Sequence, residues 1–135
     1  MKISKIFQNP LLLIASFLFI VISGESFGGF YLLYLLMALP HGSLHSLLAV
    51  LGIVILITGY IKNGSSKNAP TLIVFYTAGV ACIISSLLVF FLNDKQGYNN
   101  GTFHQLIPLI SLIIFSFIAL GFIFLNIFRL SGKKT

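Results

Sequence analysis

The acids and histidines of this chain are few enough to name: Glu25, Asp94, His41, His45 and His104. His41 and His45 stand four apart. On one continuous helix they would share a face and could grip a metal ion or a haem. His104 opens one apolar run and Glu25 closes another. Three histidines and one carboxylate at one end of a small bundle would make a ligand or ion site. Polar groups at membrane depth are costly and often functional. The blander reading competes with it. Pro40 and Gly42 interrupt the His41–His45 spacing, and polar side chains near helix ends reach water or headgroups. No cofactor is expected on this reading, and a metal or haem at His41, His45 and His104 is the alternative.

Nucleophilic and proteolytic chemistry lack their parts. The segment His41-Gly42-Ser43-Leu44-His45 has the spacing of the zinc-protease H-E-x-x-H, but Gly42 stands where the general base would be. Ser43 and Ser46 have no G-x-S-x-G elbow around them and read as helix-end partners of the backbone. Cys82 is a lone thiol in an apolar run and reads as a packing residue. A transporter would use Glu25 as a proton-coupled carboxylate. Four-span multidrug transporters keep their acid deep in the first span, whereas Glu25 follows Gly24 at its end, and that family is not claimed.

The elements that must position these residues follow from composition. The 135 residues are 58% hydrophobic and 7% charged, against about 45–50% and about 25% in soluble domains. Eight Lys/Arg and two acids cannot cover so much apolar surface. A soluble enzyme, a nucleic-acid-binding domain and a disordered tail are excluded. One cysteine excludes a disulfide scaffold. The solvent of this chain is mostly lipid.

Four apolar runs are long enough to span, at roughly 6–23, 44–61, 70–92 and 106–130, since about 20 residues cross the hydrocarbon. Lipid requires backbone groups to be paired within the segment, so each is expected to be a helix. The expected fold is an all-α four-helix membrane bundle, a single unit over residues 1–135. Pro10, Pro40, Pro70 and Pro108 lie near the starts of runs, where proline is tolerated. Asn9 is a candidate N-cap for Pro10. Thr102 and Gln105 have capping-box spacing; a helix starting there would carry Pro108 inside it and bend. Residues 30–39 are too short to span. They are expected to form an interfacial or re-entrant helix, with Tyr31 and Tyr34 at headgroup level and a break near Pro40–Ser43. Gly24, Gly28 and Gly29 permit a reversal before it. The polar loop 93–102 is expected to be mobile.

Seven of the eight cations fall on one side: Lys2, Lys5, Lys62, Lys67, Arg129, Lys133 and Lys134, against Lys95 alone. Positive-inside bias then puts both termini in the cytoplasm, with a bacterial inner membrane assumed. Ile22-Ser23-Gly24 is a poor signal-peptidase site, so the first run is read as a retained span. Two sequons occur, at Asn63 and Asn100, and only the second would face outward.

Helices in lipid associate through close packing of small residues. Ala78, Cys82 and Ser86 recur at four-residue steps in the third run, with Gly52 and Gly59 in the second and Ser116 and Ala119 in the fourth as partners. The third helix is expected to be central. The function expected is non-enzymatic: an accessory or assembly subunit, or a lipid- or partner-binding bundle. Its partners would be membrane lipids, other membrane subunits or further copies of itself, and not nucleic acid. A small transporter or channel using Glu25 and the histidines, and a metal or haem redox protein, are the alternatives.

Overall fold

The computed structural model describes residues 2–23, 28–65 and 69–131. The chain begins with two short helices, α1 (Lys2–Phe7) and α2 (Pro10–Leu18). The break between them is local chemistry. A residue before proline is pushed out of the helical region, and Asn9 is extended at φ −85°, ψ 118°. Its side-chain oxygen accepts the Leu11 N–H at 3.0 Å, capping α2 as the sequence suggests. After Leu18 the backbone opens into β1 (Val21–Ser23), which pairs antiparallel with β2 (Gly28–Phe30). Val21 faces Phe30 and Ser23 faces Gly28. The Tyr31 N–H donates to Ile20 O at 2.7 Å and continues the pairing.

The expectation of one spanning helix over 6–23 is therefore corrected. The segment is a broken helix followed by a short strand, and among the described residues the fold is all-α apart from this one hairpin. The β-branched Val21 and Ile22 favour extended backbone.

Helix α3 (Tyr31–Ala38) is short, as expected, and a 3-10 turn over Leu39–His41 ends it. Gly42 then takes φ 63°. A Cβ there would meet nothing within 4 Å, so backbone conformation alone calls for glycine. Helices α4 (Leu44–Ser65) and α5 (Ala69–Leu92) follow as an antiparallel pair. They pack through glycine. A Cβ on Gly52 would stand 2.9 Å from Gly79 O, and one on Gly79 would stand 2.6 Å from Leu56 Cγ. Gly59 lies equally close to Phe75 and Tyr76. Without these glycines the helices could not approach so closely.

The loop after α5 is folded: Asp94 Oδ2 accepts the Asn99 N–H at 2.5 Å and a 3-10 turn spans Tyr98–Asn100. One helical turn, α6 (Gly101–His104), precedes α7 (Leu106–Ser131). Gln105 is extended at ψ 137° and separates them. Pro108 thus lies in the first turn of α7, where its missing N–H costs nothing, and does not bend a helix interior. The capping box at Thr102 does not form either, because the Thr102 hydroxyl bonds Ser23 instead.

Helices α4, α5 and α7 are each long and apolar enough to cross a membrane. The broken first segment runs antiparallel along the whole of α7. Gln8 meets Arg129, Phe7 lies on Gly121, Phe17 on Phe115, and Val21 on Ser111. Two ends are thereby defined, an arginine end and a hairpin end. Phe17, Tyr31, Tyr76, Ile83, Phe115 and Phe122 are buried between elements, while Phe117, Leu120, Phe124 and Phe128 of α7 face outward.

Candidate functional site

At the hairpin end the histidines are separated by the elements that carry them. His41 sits exposed in the 3-10 turn after α3. His45 is half-buried in the first turn of α4, across the left-handed Gly42. The helix face that would have joined them is absent. His104 is exposed at the end of α6. Glu25 lies outside the described residues. Among the described residues no three His, Cys, Asp or Glu side chains are grouped to hold a metal ion.

What the hairpin end does contain is an aromatic knot with one polar thread. The Phe90 ring lies 5.1 Å from Tyr31, 5.5 Å from Tyr34 and 5.4 Å from His45, each edge to face. Edge-to-face pairs of this kind add roughly 0.5–1.5 kcal/mol each. Tyr31 also packs on Phe17 at 5.3 Å. The Ser86 hydroxyl donates to His45 O at 2.7 Å, so the Tyr31 hydroxyl is left to donate to Ser86 Oγ at 3.0 Å. Burial pushes the Tyr31 phenol up to about 12, with the Ser86 hydrogen bond opposing in part. Tyr31 is therefore a core residue, not a headgroup ring as its sequence position suggests. His45 Nε2 is buried and has no hydrogen-bond partner.

Of the small residues expected at helix contacts, Ser86 is in this thread and Cys82 lies against Gly52. Ala78 is half-buried one position from Gly79, which makes the close approach. Ala119 is buried and Ser116 exposed along a groove of about 340 Å³ between α5 and α7, which Ile84, Leu88 and Leu120 also line.

The arginine end is polar, and no acid or histidine of the sequence marks it. Residues Lys5, Gln8, Asn9, Tyr60, Asn63 and Arg129 line a cavity of about 300 Å³. Four elements or their edges converge on it: α1, the α1–α2 break, the end of α4 and the last turns of α7. The half-buried Arg129 donates to Gln8 Oε1 at 3.5 Å and to Asn63 Oδ1 at 3.3 Å. Its Nε is buried without a partner. Below it, Asn126 is 1% exposed and donates to Phe122 O at 2.9 Å and Gln8 O at 3.4 Å. The signal was present in the sequence. Gln8 and Asn126 each interrupt an apolar run, and polar residues at such depth are expensive.

Lys5, Lys62 and Arg129 share this end, while Lys95 and Asp94 lie beyond α5 at the other. No protein-family model, curated protein or solved structure matches this chain.

Proposed function

We propose that this chain is a non-enzymatic integral membrane protein that acts by lateral association, as an accessory or assembly subunit of a larger membrane complex. The observation that carries the reading is the groove between α5 and α7. It is apolar, open to the side, and floored by Ala119 with Ser116 at its edge. Small residues flanked by exposed Ile84, Leu88 and Leu120 are what a partner transmembrane helix packs against in lipid, where contact quality and not apolarity drives association. Between the two terminal clusters, the hydroxyls of Ser16, Thr58, Thr77 and Ser116 donate to backbone carbonyls of their own helices.

The same reading takes the chain across the membrane four times. The first crossing is made by α1, α2 and β1 against α7, not by a long helix of its own. Non-helical backbone is tolerated at such depth where protein covers it, and Val21 and Ser23 have side-chain partners on α7 and α6. The arginine end faces the cytoplasm of a bacterial inner membrane, in keeping with the cation bias.

Native mass spectrometry of the gently extracted protein tests the proposal. A heteromeric mass containing this chain is expected, and Ala119→Phe should release the partner. A bare homo-oligomer would overturn it in favour of transport, with Glu25 as the first residue to change. A metal or haem mass would favour a redox role for the histidines.

A further inference from the structure

We infer that the cavity at the arginine end is a binding site for a phosphate oxyanion. Its chemistry is one-sided. The guanidinium of Arg129 carries five donors in a planar fork suited to phosphate. Two of its nitrogens reach neutral amide oxygens, at 3.3 Å and 3.5 Å, and Nε has no partner. These are long contacts for a charged donor, whose hydrogen bonds to an anion run near ~2.7–2.9 Å. Asp94, the one described acid, accepts from Asn99 at the opposite end. Lys5 lines the same cavity. The side-chain amides of Asn9 and Asn63 and the Tyr60 hydroxyl add neutral donors around it.

A half-buried cation with no carboxylate beside it among the described residues calls for a counter-ion, since an uncompensated charge away from bulk water is costly. The cavity of about 300 Å³ exceeds the ~30 Å³ share of a water molecule about tenfold, enough for a phosphate group. The site lies where the last turn of α7 and the end of α4 meet, at the depth of a lipid headgroup if these helices span. The oxyanion is then that of an anionic phospholipid or a free phosphate. Only the choice of source rests on the membrane reading.

The test uses the full chain in nanodiscs of phosphatidylcholine doped with phosphatidylglycerol, and in phospholipid-free detergent titrated with inorganic phosphate. In the nanodisc arm, native mass spectrometry should find phosphatidylglycerol retained. Arg129→Gln should weaken retention about tenfold or more, the scale of a lost charge-assisted contact, and Lys95→Gln should leave it unchanged. Asn63→Asp guards against a folding defect. It keeps the guanidinium and sets a carboxylate beside it, so it should displace the anion without loss of fold. Phosphate binding in detergent with the same variant pattern, and no retained lipid, would assign the site to a free oxyanion. Equal retention by wild type, Arg129→Gln and Asn63→Asp, with no phosphate binding, would overturn the inference. A chain that fails to enter nanodiscs would overturn the membrane reading and leave the phosphate arm as the test.

Discussion

The backbone N–H of Val21 donates to the side-chain oxygen of Ser111 at 2.9 Å. A strand amide at the hairpin end is thus satisfied by a helix that follows it 90 residues later. Ser111 Oγ itself donates to Pro108 O at 2.7 Å, which fixes the hydroxyl for its acceptor role. Ser111→Ala should destabilise the protein by about 1 kcal/mol, the scale of one part-buried hydrogen bond left unmade. Thermal unfolding in detergent reads it, and Ser111→Thr should recover most of the loss. Equal stability of Ser111→Ala and wild type would mean that β1 does not depend on α7.

Close approach of α4 and α5 gives a second prediction. A methyl at Gly79 would fall 2.6 Å from Leu56 Cγ, whereas one at Gly28 would meet Ile22 O at an ordinary 3.5 Å. Gly79→Ala should cost about 1–3 kcal/mol through overpacking, and Gly79→Val more. Gly28→Ala should stay within about 0.5 kcal/mol of wild type, as unstrained surface changes do. The ordering of the three variants in a thermal-shift series is the readout.

Tyr31 links stability to alkaline pH. Its phenol ionises at 10.0 when unfolded and at about 12 when folded. The folded state prefers the neutral form, so this group's contribution is full below pH 10 and is lost as pH rises toward 12. Tyr31→Phe removes the bond to Ser86 and should cost about 1 kcal/mol at neutral pH. It also removes the titration. Since the loss runs at about 1.4 kcal/mol per pH unit, the stability gap between wild type and Tyr31→Phe should narrow above pH 10, reverse before pH 12 and level off beyond it. A gap that is constant with pH would show that Tyr31 is not buried as described.

His45 offers the sharpest separation of packing from ligation. Its ring meets Phe90 edge to face, while Nε2 is buried without a partner. His45→Phe keeps the ring contact and removes the orphaned atom, so stability should match or exceed wild type, by up to about 1 kcal/mol. Metal analysis of both proteins completes the test. Zinc or haem present in wild type and lost in His45→Phe would make His45 a ligand and sink the packing role.

Local signals were legible in this sequence, and long-range ones were not. Asn9, Pro10, Pro40 and Gly42 announced their caps and breaks because the causes lie within four residues of each. The three long apolar helices followed from run length alone. The hairpin did not, because its partners Ser111 and Thr102 stand 90 and 79 residues away. Tyr31 looked interfacial beside Tyr34, and only the tertiary fold shows that it turns inward to Ser86. The arginine-end cavity itself is not legible in the sequence because Gln8 and Asn63 are neutral amides whose meaning depends on meeting Arg129, 121 and 66 residues away.

The pairing of the first segment with the last helix sets an order of assembly. Residues 8–23 leave the ribosome well before their partners Ser111, Asn126 and Arg129. The α4–α5 pair is complete in sequence before α7 exists, and its contacts are between neighbours in the chain. In the N-terminal segment β1 does pair with its chain neighbour β2, but Gln8 and the Val21 N–H find their partners on α7. The segment's contacts with α7 cannot form until residues 106–131 have been made, so that packing comes after the pairing of α4 with α5.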